Sequence, residues 1–433
     1  MTIEQLKLMK EYLEEHLRKG FIVPSEAPFA SPVLFAKKPG GGWRFCVDYR
    51  KLNEITKKDR YPVPLIEETL ARLSKARIFT KLDVRHAFNR IRLKESIEEL
   101  TTFRTRYGSY KYRVLPFGLC NGPASFQRFI NSVLFDYLDE FCTAYIDDIL
   151  IYSDDPIKHE EQVCKVLERL RQAGLQVDIK KCEFSVTSTK FLGFVVSTKG
   201  IAMDPDKVAI IRDWEVPTTL KGVRSFIGFC NFYRRFLKSF GRVMRPLTRL
   251  TAKGGWHPLG DVEIEAFNKT KELVLNGGLI VHYSPHLPTR METDSSDGVV
   301  AGVLSQRQDG GEWKPVAFFS KVMNPEEMCY EIHDKEMLAV MRGLAEWRSL
   351  LIGLQNTPFL AITDHRALEY FSTKRLLNPR QARWADQLAE YNVKITYRPG
   401  SINTIADILS RKEEALKTQK EKDLAGWQHA QPF

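Results

Sequence analysis

No apolar run in the 433-residue chain approaches the roughly 20 residues that a bilayer-crossing helix needs, and the first residues lack a signal-peptide core. No C-x-x-C and no His-and-Cys cluster occurs, which leaves no zinc site to assign. The seven cysteines have no paired spacing and mostly sit in apolar runs, as expected of buried, reduced thiols in an intracellular protein. Low-complexity tails and long blocks of one charge are also missing. The excess of 65 basic over 54 acidic residues, net +11, is therefore spread through globular sequence. Such a surplus favours a polyanionic partner and salt-sensitive binding. The length suits about three domains.

The most informative string is Tyr145-Ile146-Asp147-Asp148. It sits between the apolar, β-type runs Phe141 to Ala144 and Ile149 to Tyr152, with no Gly or Pro between them, and reads as a hairpin with two carboxylates at its tip. Either cations neutralise that pair or the tip is merely exposed. Upstream, Ile78 to Leu82 is a second apolar run that ends at Asp83. Taken alone, Asp83 is a helix cap or a solvated strand end. Together the three acids suit two Mg2+ ions, which take oxygen ligands and leave positions open for phosphates.

Ser31 to Lys38 and Trp43 to Asp48 form a second predicted hairpin, joined by Pro39-Gly40-Gly41-Gly42. Lys37, Lys38 and Arg44 flank its turn, where cations suit a triphosphate. Helical spacing marks residues 3 to 19, Pro123 to Leu138 and His159 to Ala173, and Asp204-Pro205 opens a segment that stays helical to about 283. Within it, Phe226, Phe229, Tyr233 and Phe236 read as a core stripe. Arg224, Arg234, Arg235 and Lys238 interleave with that stripe, so several should point outward and can meet a duplex backbone without reading sequence.

Past Pro285 a second set of acids appears. Asp294 ends the strand Thr289 to Asp294, with further strands over Val299 to Ser305 and Trp313 to Ser320. Glu336 lies on a helix over Tyr330 to Leu351, whose buried side is expected to hold Ile332, Met337, Val340, Leu344 and Trp347. Asp364 ends the strand Phe359 to Asp364, and Asp407 sits in a short helix, Asn403 to Ser410. Acids 42, 28 and 43 residues apart converge only through tertiary folding, so each by itself reads as a surface acid or a cap.

The strings Thr80-Lys81-Leu82-Asp83-Val84-Arg85-His86-Ala87-Phe88, Leu115-Pro116-Phe117-Gly118 running on to Ala124-Ser125-Phe126-Gln127, Tyr145 to Asp148, and Phe191-Leu192-Gly193-Phe194 stand in the order found in reverse transcriptases. The chain resembles the polymerase of gypsy-like LTR retrotransposons over nearly all of residues 1 to 412. Glu292-Thr293-Asp294, Asp334-Lys335-Glu336, Thr363-Asp364-His365, Tyr397-Arg398-Pro399-Gly400 and Ala406-Asp407 resemble the RNase H of the same elements.

The resemblance implies an α+β right-hand polymerase followed by an RNase H-like α/β domain with a mixed five-stranded sheet. Fingers and palm would span 1–204, a helical thumb 205–284, RNase H 285–412 and a charged tail 413–433. It makes Asp83, Asp147 and Asp148, and separately Asp294, Glu336, Asp364 and Asp407, the ligands of two Mg2+ ions per site, with Mn2+ as a substitute. It places nucleotide contacts at Lys37, Lys38, Arg44, Phe88 and Gln127, with Phe88 as the gate against ribose, and a primer grip at Phe191, Leu192 and Gly193. RNA template, DNA primer, RNA–DNA hybrid and dNTPs are the implied partners, with no membrane. The implied location is intracellular, in cytoplasmic particles and in the nucleus.

One departure stands out: Tyr397 and Arg398 occupy the loop where relatives carry a histidine, and His365 is the nearest substitute. No Asp-Ser/Thr-Gly protease string and no downstream His-and-Cys integrase motif occurs, so a processed product or fragment of a polyprotein is expected. A domesticated subunit that binds nucleic acid without chemistry is the alternative from another class, and the acidic residue at all seven matched positions argues against it. A cellular repair polymerase is disfavoured by the fused RNase H.

Overall fold

In the computed structural model, which describes residues 1–37, 41–296, 298–354, 358–373 and 377–399, several helices begin where the sequence supplies caps. Thr2 and Gln5 form a reciprocal capping box that starts the helix Ile3–Arg18. Asp155 accepts from Ile157 N–H ahead of Pro156, and Asp204 accepts from Asp206 N–H ahead of Pro205. Lys38, Asp407 and the tail lie outside the described residues. The chain divides into two units, one through Thr198 and one from Lys199.

In the first unit the strands are β1 (Ile22–Pro24), β2 (Ser31–Lys37), β3 (Trp43–Val47), β4 (Ile78–Asp83), β5 (Phe103–Thr105), β6 (Gly108–Tyr112), β7 (Cys142–Tyr145), β8 (Asp148–Ser153), β9 (Glu183–Val186), β10 (Ser188–Phe191) and β11 (Phe194–Ser197). One sheet runs β1-β6-β5-β2-β3 and a second runs β7-β8-β4-β9. The run Ile149 to Ile151 is fully buried because β8 is central in the second sheet. Helices Gly122–Leu134 and Pro156–Gln172 supply the rest of that core through Phe126, Ile130, Leu134, Val166 and Leu170. The first of these stops short of the expected Leu138. The chain turns at Asp139, whose φ is +68°, to enter β7. Buried His159 lies 2.7 Å from Thr80 Oγ1 on β4 and 2.8 Å from Ser153 Oγ on β8, tying the strands that carry Asp83 and Asp148 to one helix.

In the second unit β12 (Gly200–Met203) precedes helices Pro205–Arg212, Leu220–Phe232, Phe240–Leu250 and Asp261–Leu275. Phe226, Tyr233 and Phe236 of the predicted stripe are buried, with Phe226 packing on Phe267 at 4.5 Å between ring centroids. A mixed sheet follows, ordered β15 (Trp313–Val322), β14 (Val299–Arg307), β13 (Thr289–Ser296), β16 (Phe359–Thr363) and β17 (Val393–Tyr397). β13, β14 and β15 pair antiparallel, whereas β16 is parallel to both β13 and β17. Helix Ile332–Glu346 lies close against this sheet because Gly343 leaves room, and a Cβ there would come within 2.5 Å of Met291 Sδ. The helix breaks at Trp347 instead of running on to Leu351. Ile332, expected on its buried side, is 72% exposed because it opens the first turn, ahead of the packed stretch.

The cysteines also depart from expectation. All are free, but Cys142 and Cys230 alone are buried, and Cys164 and Cys329 are exposed. Among the described residues no helix is long and apolar enough to cross a membrane.

Candidate active sites

β4 and β8 run antiparallel in a register that sets Asp83 directly opposite Asp148. β7 and β8 close on each other with Tyr145 paired to Asp148, which leaves Ile146 and Asp147 as the two-residue tip. Ile146 has φ +55°, a left-handed conformation that is unusual for a β-branched residue. The strain sits directly beside the acidic pair and must be held by its surroundings. Val84 N–H donates to Asp147 C=O at 3.0 Å and pulls the tip onto the end of β4. Burial raises the pKa of Asp147, and the neighbouring charges of Asp148 and Asp83 raise it further.

Gln127 is the second support. Its Oε1 accepts from Ile146 N–H at 2.7 Å, while Nε2 donates to Ala144 C=O at 2.9 Å and to Asn131 Oδ1 at 2.8 Å. The resemblance implies a nucleotide contact at Gln127. The side chain is instead fully buried beneath the tip with both amide hydrogens spent, so any effect on nucleotide binding passes through the turn.

Phe88 is half-buried, with its ring centroid 4.9 Å from that of Phe117 and 6.1 Å from that of Phe126. It follows His86, which has φ +53°, in a short helical turn just past Asp83. Lys37 and Arg44 are exposed at the end of the β2–β3 ribbon, and Lys37 Nζ stands 5.8 Å from the Trp43 ring. Phe191 and Phe194 pair across a tight turn whose Leu192 and Gly193 both have positive φ, and both phenyl rings are buried.

Two cations to which the sequence assigns no role sit on the acids: Lys81 Nζ is 3.2 Å from Asp148 Oδ1, and Lys181 Nζ is 3.2 Å from Asp83 Oδ1. Lys81 had a signal, since a charge two residues before Asp83 in an apolar strand shares its face. Lys181 had none.

In the second unit, Asp294 on β13, Glu336 on the helix Ile332–Glu346 and Asp364 just past β16 bring carboxylate oxygens within 4.8 Å of one another. Among the described residues no other group of three acids, histidines or cysteines converges so closely. Glu336 is buried, with Oε1 accepting from Ser295 N–H at 3.1 Å and no donor reaching Oε2. Burial and the charges of Asp364 and Asp294 push its pKa up to about 8. A buried oxygen lacking a donor, among three converging carboxylates, fits a hard divalent cation with oxygen ligands. Asp407, expected as the fourth ligand, lies outside the described residues.

His365, the candidate for the missing loop histidine, is half-buried with its ring 6.2 Å from that of His333. Arg398 is occupied elsewhere: its Nη1 lies 3.6 Å from buried Glu292, and its N–H donates to Thr363 C=O at 2.9 Å.

The cations interleaved with the aromatic stripe are less free than their spacing suggests. Arg234 donates to Glu346 at 2.6 Å, and Arg235 and Lys238 are half-buried, because the chain turns at Tyr233 and runs back against its own unit. Arg224 is exposed.

An acidic hairpin tip in one unit and a carboxylate trio on a mixed sheet in the other are two separate sets of acids, each of a kind that suits divalent cations with oxygen ligands. Residues 36–196 match the family "Reverse transcriptase (RNA-dependent DNA polymerase)" and residues 284–391 match "RNase H-like domain found in reverse transcriptase". The chain is 36% identical over 412 residues to the Transposon Tf2-3 polyprotein of Schizosaccharomyces pombe, which covers 94% of this chain and 31% of the polyprotein. It is 36% identical over 419 residues to the Retrovirus-related Pol polyprotein from transposon opus of Drosophila melanogaster, covering 93% of this chain and 42% of that protein. The chain thus spans well under half the length of these curated relatives.

Among solved structures, the foamy viral protease-reverse transcriptase in complex with dsDNA superposes with a TM-score of 0.79 at 20% identity, covering 92% of this chain and 84% of that one. The same protein in complex with an RNA/DNA hybrid gives 0.73 at 20% identity, covering 92% and 54%. At that identity the likeness establishes the fold. The chain therefore carries a region that matches the reverse transcriptase family followed by one that matches the RNase H-like domain found in reverse transcriptases, in a sequence similar to transposon polyproteins.

Proposed function

We propose that this chain copies retrotransposon RNA into DNA, cleaves the RNA of the resulting hybrid and completes the second DNA strand, using dNTPs, an RNA template and a DNA primer. The observation that carries the reading is the pair of acid sets, one at the β4–β8 register and one at the carboxylate trio, each built in its own unit. The foamy viral relatives of like fold were solved on dsDNA and on an RNA/DNA hybrid, which supports the same classes of nucleic acid here. We place its action inside the cell, in element particles.

In the first centre Asp83, Asp147 and Asp148 would hold Mg2+, with Mn2+ as a substitute. In the second, Asp294, Glu336 and Asp364 would do so. Bound metal supplies charge neutralisation at the reacting phosphate and a more acidic nucleophile. The protein's own part is positioning. Gln127 and Val84 fix the backbone of the acidic tip, so the residues that carry the carboxylates are positioned before substrate arrives. Phe88 would lie against the incoming sugar, where its ring offers no partner to a ribose 2′-hydroxyl. Lys37 and Arg44 would meet the triphosphate, and the turn at Leu192 and Gly193 would support the primer end through backbone groups. In the second centre the strand β13 and the end of β16 would fix two acids while Glu336 closes the site from its helix.

The test is extension of a DNA primer on labelled RNA with Mg2+, scored for DNA product and RNA cleavage together. Asp147→Asn should abolish extension and keep cleavage of a preformed hybrid. Glu336→Gln should do the reverse. Loss of both activities in either folded variant would refute the two-centre assignment.

A further inference from the structure

The two acid sets are balanced differently. In the second unit the carboxylates converge on one another, whereas in the first each of two acids carries a lysine. Lys181 Nζ lies 3.2 and 3.4 Å from the two oxygens of Asp83, and Lys81 Nζ lies 3.2 Å from Asp148 Oδ1. The placement is built in. Asp178 N–H donates to Asp83 C=O at 2.9 Å and Lys181 N–H donates to Asp178 C=O at 2.9 Å, which anchors the Lys181 backbone beside the end of β4. Lys81 reaches Asp148 diagonally across the β4–β8 pair, where the register sets it opposite Leu150.

We propose that Lys81 and Lys181 are stand-in counter-ions, which neutralise Asp148 and Asp83 in the metal-free enzyme and must be displaced for divalent metal to enter. The inference rests on the reading of these acids as metal ligands. An ammonium group contacts carboxylates at about 3 Å, whereas Mg2+ draws oxygens to about 2.0–2.1 Å. Lysine can therefore pair with the acids without gathering them as a metal would. Lysine also suits a temporary role, being a compact charge on a flexible stem. The Lys181 side chain is 63% exposed and Asp83 18%, so the cation can swing into solvent while the acid stays in place. By this account the lysines set the metal affinity of the polymerase centre before nucleotide arrives, and they prevent the tip acids from repelling one another apart.

The test uses the full chain carrying Glu336→Gln to weaken metal binding at the second centre, with Mn2+ alone as probe, no nucleic acid, and free Mn2+ read by electron paramagnetic resonance. Exposed pairs of this kind are worth about 0.2–1 kcal/mol, so Lys181→Met should tighten Mn2+ binding roughly 1.4- to fivefold, and adding Lys81→Met should tighten it further. The metal-free melting temperature of Lys181→Met should fall, and Mn2+ should raise it more than in the parent. Lys181→Gln, polar and uncharged, should give the same result if methionine disturbs folding. Asp147→Asn in the same background should weaken Mn2+ binding strongly. If it does not, the metal-site reading fails, separately from the lysine proposal. Unchanged or weaker Mn2+ affinity in Lys181→Met and Lys181→Gln, with binding still sensitive to Asp147→Asn, would overturn the proposal.

Discussion

Glu336 gives the sharpest quantitative test, because its pKa makes a statement about stability as well as catalysis. Burial and the facing charges of Asp364 and Asp294 raise it from the ordinary glutamate value of 4.5 to about 8. Between those two pH values the unfolded chain has lost the proton and the folded chain keeps it, so metal-free stability falls as pH rises across that window and levels off above it. Each pKa unit corresponds to about 1.36 kcal/mol, which places the penalty in the range of roughly 2 to 4 kcal/mol near neutral pH once relaxation is allowed for. Glu336→Gln removes the ionisable group and keeps the shape. In the absence of metal it should therefore stabilise the second unit by that amount above neutral pH and by almost nothing at pH 4. For a unit of this size about 1 kcal/mol moves the melting temperature by about 2–4 °C, so a rise of several degrees is expected at pH 8. Mg2+ should raise the melting temperature of the parent at pH 8 far more than that of the variant, since bound metal relieves the repulsion that the variant lacks. Thermal scans from pH 4 to 9 with and without Mg2+, alongside hybrid cleavage, would check this. An unaltered pH slope, or a variant less stable than the parent at pH 8, would refute the electrostatic reading of the trio.

Three further outcomes are expected. Gln127→Leu removes the acceptor for Ile146 N–H and the donor to Ala144 C=O, leaving both backbone groups unsatisfied at a cost of about 1–3 kcal/mol each; primer extension should fall sharply with hybrid cleavage intact, and a selective rise in the KM for dNTP with kcat unchanged would instead restore Gln127 to the nucleotide. Phe88→Ala should raise ribonucleotide incorporation while deoxynucleotide extension persists, whereas a melting loss of the size seen for a fully buried Phe, about 3–5 kcal/mol, with sugar preference unchanged would make Phe88 a core residue. Binding of hybrid should weaken log-linearly with salt; Arg224→Ala should lower that slope by about one, and Arg234→Ala should leave it nearly unchanged because Glu346 already matches its charge, a split that filter binding across salt concentrations would expose.

Local chemistry made much of this protein legible in its sequence. Apolar runs with acids at their ends gave the strands β4, β8, β13 and β16 and located Asp83, Asp148, Asp294 and Asp364, because strand periodicity and turn placement are properties of neighbouring residues. The same locality lets Thr2, Asp155 and Asp204 cap the helices that follow them, although apolar spacing alone begins the second of these at His159, three residues late. What sequence could not decide was what each side chain would meet. Arg234 looked like a phosphate contact until folding brought Glu346, 112 residues away, to its guanidinium. Gln127 looked like a ligand residue until packing set it beneath a tip 19 residues further on, and Lys181 acquired its place beside Asp83 from a contact spanning 98 residues. The convergence of Asp294, Glu336 and Asp364 within 4.8 Å likewise exists only once a parallel strand and a helix are laid on β13. Residue type and spacing fix hydrogen-bonding capacity, charge and local conformation, whereas burial, pairing and the pKa shifts they cause depend on partners that only tertiary structure supplies.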